Sequence, residues 1–430
     1  MAGAPCCACQ TVAVLAGAID ILARVGRLII FHRFLRRYIL SVLRDALWMT
    51  PERALAYRNI LLVAQALAAV FLVASSHGGL DFDNRPLGTD FVSFWTASKI
   101  ALSDGPGRVY DTTVHLAAQR EAFGGTPLNY TAFFYPPLFL LICLPLALLP
   151  YGWALIGWLS VTGALLLAAL GRLVRGHVLA ALAFPAVWLN MAHGQNGFLT
   201  AALFAGATWN LEARPILAGV LLGCLSYKPH FLLMVPVVLI VGARWRSAAA
   251  AAATAGTMCV LSVALLGTAP WFGFFTNSAL AREALERGMV GNYKMQSLFA
   301  AIRVFDGSLT VAYMAQALLA LAVAAVLAWL CRKAPSRETI GAALAAATLL
   351  ASPFLLVYDF VLLAVPLLWI WRDARTTGFL PWEKTVLIAG FFMPLISSEA
   401  AFWLHFPMAP LVVLAVFASV VRRGMRPISL

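Results

Sequence analysis

The sequence predicts an all-α, polytopic transmembrane helical bundle of about 12 spans, with amphipathic helices in its first outer loop. Three observations carry this. The chain is 62% hydrophobic and 11% charged, with a mean hydropathy of +0.87, whereas a soluble domain is about a quarter charged. Its clearest apolar runs, Asn59–Ser76, Ala248–Gly267, Leu309–Cys331 and Phe406–Val421, approach or meet the roughly 17–25 residues that cross a bilayer as a helix. Alternating segments of about ten residues, the mark of a membrane barrel, do not occur in it. So little polar surface cannot cover so much apolar surface, and lipid must be the solvent.

The net charge of +13 does not point to nucleic acid, because the basic residues lie between apolar runs rather than along one soluble face. They read as topology signals. Residues 1–58 carry Arg24, Arg27, Arg33, Arg36, Arg37, Arg44, Arg53 and Arg58 against Asp20, Asp45 and Glu52, which puts this basic segment in the cytoplasm. Val12–Leu22 is too short to span, and a signal peptide does not fit, since the charges follow the apolar run. Met49 just before the first span is an alternative start. Of the seven cysteines, Cys143, Cys224, Cys259 and Cys331 sit in or beside apolar runs, where thiols pack. Cys6, Cys7 and Cys9 read as part of a terminus without structure.

From residue 59 to 430 the chain reads as one transmembrane domain. The first span leads outward to the longest polar stretch, residues 77–134, where Phe91, Phe94, Trp95 and Leu102 recur at helical spacing. Asp111 is placed to cap a second helix there. Such helices commonly lie on the membrane with the apolar face down. Between Tyr135 and Arg246 six short apolar pieces alternate with prolines. Six full crossings would put Arg244 outside, so one piece fails to cross or two form a broken helix. Broken backbone at membrane depth needs protein or water to satisfy it, which suggests a cavity wall. Residues 268–308 form a second outer loop, with an exposed helix near Ala281–Gly288. Arg244/Arg246, Arg332/Lys333/Arg337, Arg372/Arg375 and Arg422/Arg423/Arg426 fit cytoplasmic loops, so both termini are expected inside.

Charge near apolar segments is costly and usually functional, which singles out four clusters. Asp90, in Gly88–Trp95, is either a helix N-cap or a general base for an acceptor hydroxyl. Tyr135–Pro136–Pro137 marks a helix start with an interfacial aromatic. His193–Gly194–Gln195–Asn196 and Tyr227–Lys228–Pro229–His230 are polar breaks. Lys228 there either snorkels or, with His230, holds a lipid phosphate. Tyr358–Asp359 lies within the apolar run Phe354–Trp371, where Asp359 either bonds a neighbouring helix or contacts substrate. Gln296 and the loop arginines Arg282 and Arg287 are weaker candidates for sugar and phosphate. Asp81, Asp83 and Asp90 are close in sequence, but a solvated face accounts for them better than a metal site, and no metal or other cofactor is expected. Walker A, zinc-spaced His/Cys and Gly-Xaa-Ser-Xaa-Gly patterns do not occur.

Taken in order, Asp90–Trp95, Tyr110–Asp111, Tyr135–Pro150 (YPPLFLLICLPLALLP), His193–Leu199 (HGQNGFL), Gly219–Pro229 (GVLLGCLSYKP), Gln296–Ser297 and Ala351–Pro353 resemble glycosyltransferase family 87 of the GT-C superfamily. Its members include polyprenyl-phosphate-mannose-dependent mannosyltransferases. The resemblance implies a GT-C-type bundle in a bacterial inner membrane. It also implies inverting transfer of a sugar, mannose by analogy, from a polyprenyl-phosphate donor to a lipid or glycan acceptor hydroxyl at the periplasmic face. Asp90 takes the place of the catalytic acid of the first outer loop. Lys228, His230, Arg282 and Arg287 would serve the donor phosphate, and Tyr135, His193, Gln195, Asn196, Gln296, Tyr358 and Asp359 the substrates. One departure is Tyr358–Asp359, where mycobacterial relatives carry a His-rich stretch, which leaves arabinose and other sugars open. A transporter or flippase of lipid-linked sugars is the alternative, and a scaffold without substrate a third. Polar clustering at one mouth favours the enzyme over a full transport path.

Overall fold

The computed structural model describes residues 38–171, 178–333 and 336–426. The cysteine cluster Cys6/Cys7/Cys9, the Val12–Leu22 run and the arginines before residue 38 lie outside the described residues. Within them the chain is all helical, 76% helix without strands. The helices are α1 Pro51–Ala74, α2 Phe91–Ser103, α3 Thr112–Glu121, α4 Pro137–Cys143, α5 Tyr151–Leu170, α6 Val178–Leu182, α7 Pro185–His193, α8 Gly197–Asn210 and α9 Pro215–Cys224. They continue as α10 Trp245–Leu266, α11 Ala269–Glu286, α12 Leu298–Val304, α13 Leu309–Arg332, α14 Arg337–Ala351, α15 Ala364–Thr377, α16 Glu383–Trp403 and α17 Ala409–Gly424.

Among the described residues five helices, α1, α5, α10, α13 and α16, are long and apolar enough to cross a membrane. Shorter apolar stretches run over Pro137–Leu148, Pro215–Tyr227 and Pro229–Val241. Proline sets their limits: it opens α4, α7 and α9 at the first turn, where its missing N–H costs nothing. Phe406–Val421, expected as a span, is the 16-residue α17 beginning at Ala409.

Helices without a water-driven attraction associate through close packing of small residues. Gly219 and Gly223 of α9 show this against α10. A Cβ on Gly219 would lie 2.3 Å from the Ser247 carbonyl, and one on Gly223 would lie 2.6 Å from the Ala251 carbonyl. At the centre stands α14, buried at every position from Thr339 to Ala351. A buried amide secures its end: Gln316 on α13 donates to the carbonyls of Leu350 and Ala351 at 2.9 and 3.1 Å and accepts from the Phe299 amide at 3.0 Å.

Residues 77–134 and 268–308 pack together. Helix α11 lies against residues 106–110, and Asn277 donates to the Tyr110 carbonyl at 2.9 Å. The short helix expected near Ala281–Gly288 is the end of this longer α11. Asp111 caps α3 as its position predicts, accepting from the amides of Thr113 and Val114. Helix α2 differs from expectation. It does not lie with one face on a membrane but is buried on most of its surface, packed against α3, α4 and residues 144–148. Its polar side chains turn inward to carbonyls, as when Ser98 donates to Phe94 and Cys143.

Candidate active site

The turn between α7 and α8 organises the site. Helix α7 stops because Gly194 takes a left-handed conformation, φ 64°, which glycine adopts at little cost. A Cβ there would also lie 2.5 Å from Phe91 Cβ, so Gly194 lets α2 approach. Gly197 does the same on the other side, where a Cβ would meet both Asn190 Oδ1 and the Tyr358 carbonyl at 2.6 Å. These two glycines admit residues 88–91 and residues 357–363 to the same turn, and the latter pack on both α7 and α8.

The segment before α2 is fastened by backbone and side chain. The Asp90 amide donates to the His193 carbonyl at 3.0 Å, and Tyr151 donates its hydroxyl to the Leu87 carbonyl at 2.6 Å. Although Asp90 occupies the N-cap position of α2, its side chain makes no cap hydrogen bond. It accepts instead from Gln195 Nε2 at 3.0 Å. Its other close neighbour is His193, whose Nδ1 lies 4.0 Å from Asp90 Oδ2 and 2.9 Å from Thr89 Oγ1. The Asp90 side chain remains 28% exposed, so it is open to an incoming group.

Gln195 links this carboxylate to the rest. Its Nε2 also donates to the Tyr358 hydroxyl at 3.2 Å, and its Oε1 accepts from the Tyr135 hydroxyl at 3.2 Å. The next residue, Asn196, accepts from Lys228 Nζ at 3.3 Å. Lys228 in turn forms a buried ion pair with Asp359 at 2.5 Å, the two side chains being 5% and 3% exposed. Asp359 Oδ2 accepts the Leu356 amide at 3.1 Å. Phe231 and Tyr358 present ring faces to the ammonium at 4.5 and 6.0 Å. One polar network therefore runs from Asp90 through Gln195 and Asn196 to Lys228 and Asp359.

Seven of the residues singled out in the sequence meet here: Asp90, Tyr135, Gln195, Asn196, Lys228, Tyr358 and Asp359, with His193 beside them. His230 meets Phe231 edge-on at a ring distance of 5.0 Å and Phe354 at a tilt at 6.4 Å. Gln296 docks by its backbone on Leu355, but its side chain bonds the Tyr293 and Lys294 carbonyls and Ser398. Arg282 and Arg287 stand on α11 with 72% and 74% exposed side chains, paired to Glu286 and Glu283 one turn away, and do not join the network. Asp81 orders its own turn by accepting the amides of Asp83 and Arg85. Thr89 and Asn190 were not anticipated. Asn190, fully buried, accepts the Gly197 amide at 2.8 Å, and a lone amide inside the apolar run of α7 was the signal for it.

A helical bundle with five helices fit to cross a membrane, which buries the Lys228–Asp359 pair and links a partly exposed carboxylate to it, defines an integral-membrane protein with a polar network at its candidate site. The family model for glycosyltransferase family 87 matches residues 133–353, just over half of the chain, and the chain belongs to that family. The match spans Tyr135, His193, Gln195, Asn196 and Lys228. Asp90, Tyr358 and Asp359 fall outside it and are joined to it by the hydrogen bonds above. No curated protein and no solved structure matches the chain.

Proposed function

We propose that this glycosyltransferase moves a sugar, mannose in the first instance, from a polyprenyl-phosphate carrier to a lipid or glycan acceptor hydroxyl. The reaction takes place at the periplasmic face of a bacterial inner membrane. The observation that carries the reading is that the Asp90 carboxylate makes no cap hydrogen bond and instead joins the network that holds Lys228. Asp90 takes the proton of the acceptor hydroxyl while that oxygen attacks the sugar C1 from the side opposite the phosphate. The bond from C1 to the phosphate oxygen breaks, its electron pair stays on the lipid phosphate, and the anomeric centre inverts. Of the three donors of the Lys228 ammonium, Asn196 and Asp359 take two, and the third is assigned to the leaving phosphate, with His230 beside it. Charge neutralisation and positioning supply most of the rate for so good a leaving group. Excess arginine at 244/246 and 422/423/426 supports the orientation, with both termini in the cytoplasm.

Purified protein incubated with a panel of polyprenyl-phosphate mannose, glucose and arabinose and a native lipid extract tests the proposal. Incorporation of labelled sugar from one panel member, with inverted configuration, is the expected result. Incorporation from none, or from a water-soluble nucleotide sugar instead, overturns it.

A further inference from the structure

Gln195 makes a hydrogen bond with each of its four capacities while its side chain is buried. Its Oε1 accepts the backbone amide of Asn196 at 3.1 Å as well as the Tyr135 hydroxyl at 3.2 Å. A backbone N–H can only donate, so the amide orientation is settled: Oε1 faces Asn196, and both protons of Nε2 face the other way. One of those protons goes to Asp90 Oδ2 at 3.0 Å and the other to the Tyr358 hydroxyl at 3.2 Å. Gln195 is itself held at the turn, its amide donating to the Asn190 carbonyl at 3.1 Å. The adjacent side chain, Asn196, takes the Lys228 ammonium. The carboxylate and the cation are thus registered to two consecutive residues of one glycine-flanked turn.

We propose that Gln195 is a positioning residue that holds the Asp90 carboxylate at the angle the acceptor hydroxyl requires. This rests on the reading of Asp90 as the base. A carboxylate that has given up its cap bonds and is partly open to solvent rotates unless something fixes it, and Gln195 is the group that does. The same bond leaves an acceptor on Asp90 available, because Gln195 uses one oxygen only.

Two variants separate positioning from structure. Gln195→Glu keeps the shape and both bonds at Oε1 but turns an acceptor toward Asp90. Gln195→Met keeps the volume and loses all four bonds. Transfer is measured with the panel member that the wild type turns over, and melting temperature is measured in the same detergent. Positioning predicts that each variant loses kcat on the order of 100-fold, Gln195→Glu at least as much as Gln195→Met, with the donor KM within about threefold. A structural role predicts the reverse order, with melting temperature and KM moving alongside. Gln195→Glu holding kcat within about threefold of wild type overturns the proposal, and so does failure of both variants to fold. Asp90→Asn is run in parallel. If it stays active, the reading of Asp90 fails. If it is inactive while Gln195→Glu is active, only this inference fails.

Discussion

Replacing Lys228 by methionine removes the cation and keeps the length of the side chain. Asp359 is then left 3% exposed, with the Leu356 amide as its remaining hydrogen-bond donor. Breaking a buried pair in this way costs about 3–5 kcal/mol, because an uncompensated charge stays behind. Unfolding entropy of about 2 cal/mol/K per residue amounts to about 0.9 kcal/mol/K over 430 residues. A loss of about 4 kcal/mol therefore lowers the melting temperature by about 4 °C. Adding Asp359→Asn removes the stranded charge while keeping an oxygen for the Leu356 amide, and it restores all but about 1 kcal/mol. The assay is thermal unfolding of the purified single and double variants in one detergent, followed by transfer activity of whatever is folded. A single variant as stable as wild type, or a double variant no better than the single, refutes the ion pair as described. A refolded double variant with wild-type transfer would make Lys228 architectural and remove it from phosphate binding.

Two further outcomes concern regions away from the reaction centre. His115 on α3 is buried, and desolvation lowers its pKa to about 4 even though the Ser93 and Val109 backbones favour the protonated ring. The folded state holds it neutral, so the stability it contributes is present above about pH 6.5 and drains away as pH falls toward 4. At full effect this is about 3 kcal/mol, and His115→Phe should flatten the melting temperature between pH 7 and 5, whereas parallel curves would contradict it. At the other end of the bundle Arg423 is fully buried and bonds Asp373, Thr377, the Gly378 carbonyl and Glu383. Arg423→Met strands Glu383, 1% exposed, and should cost about 3–5 kcal/mol while transfer per folded molecule stays within twofold. Arg423→Lys should rescue little, since an ammonium cannot reproduce the fork.

Local features were legible in the sequence, and long-range pairings were not. Proline and apolar length marked α5, α9, α10 and α13 within a few residues, whereas α1 begins at Pro51, well before the expected Asn59, and Asp111 announced its cap. The polar breaks at His193–Asn196 and Tyr227–His230 were visible as interruptions of apolar runs. What joins them was not, since Gln195 and Asp90 are 105 residues apart and Lys228 and Asp359 are 131 apart. A local rule sees a cap or a snorkelling lysine at each position, and only the fold shows that the cap is unused and the lysine paired. The exposed position of Arg282 and Arg287 was readable in advance, because their Glu283 and Glu286 partners sit at i,i+4 spacing, the signature of a solvated helix face. Arg423 was read from charge as a loop cation. Its burial depends on Asp373 and Glu383, 50 and 40 residues earlier, which no periodicity connects to it.

The most direct test of the account is the turnover of Asp90→Asn, purified and shown to be folded, with the polyprenyl-phosphate sugar that the wild type uses. General-base assistance is worth about 10²–10⁴-fold, so kcat should fall by at least about 100-fold while the donor KM stays within about threefold. Turnover at half the wild-type rate or more would contradict the assignment of Asp90 as the base.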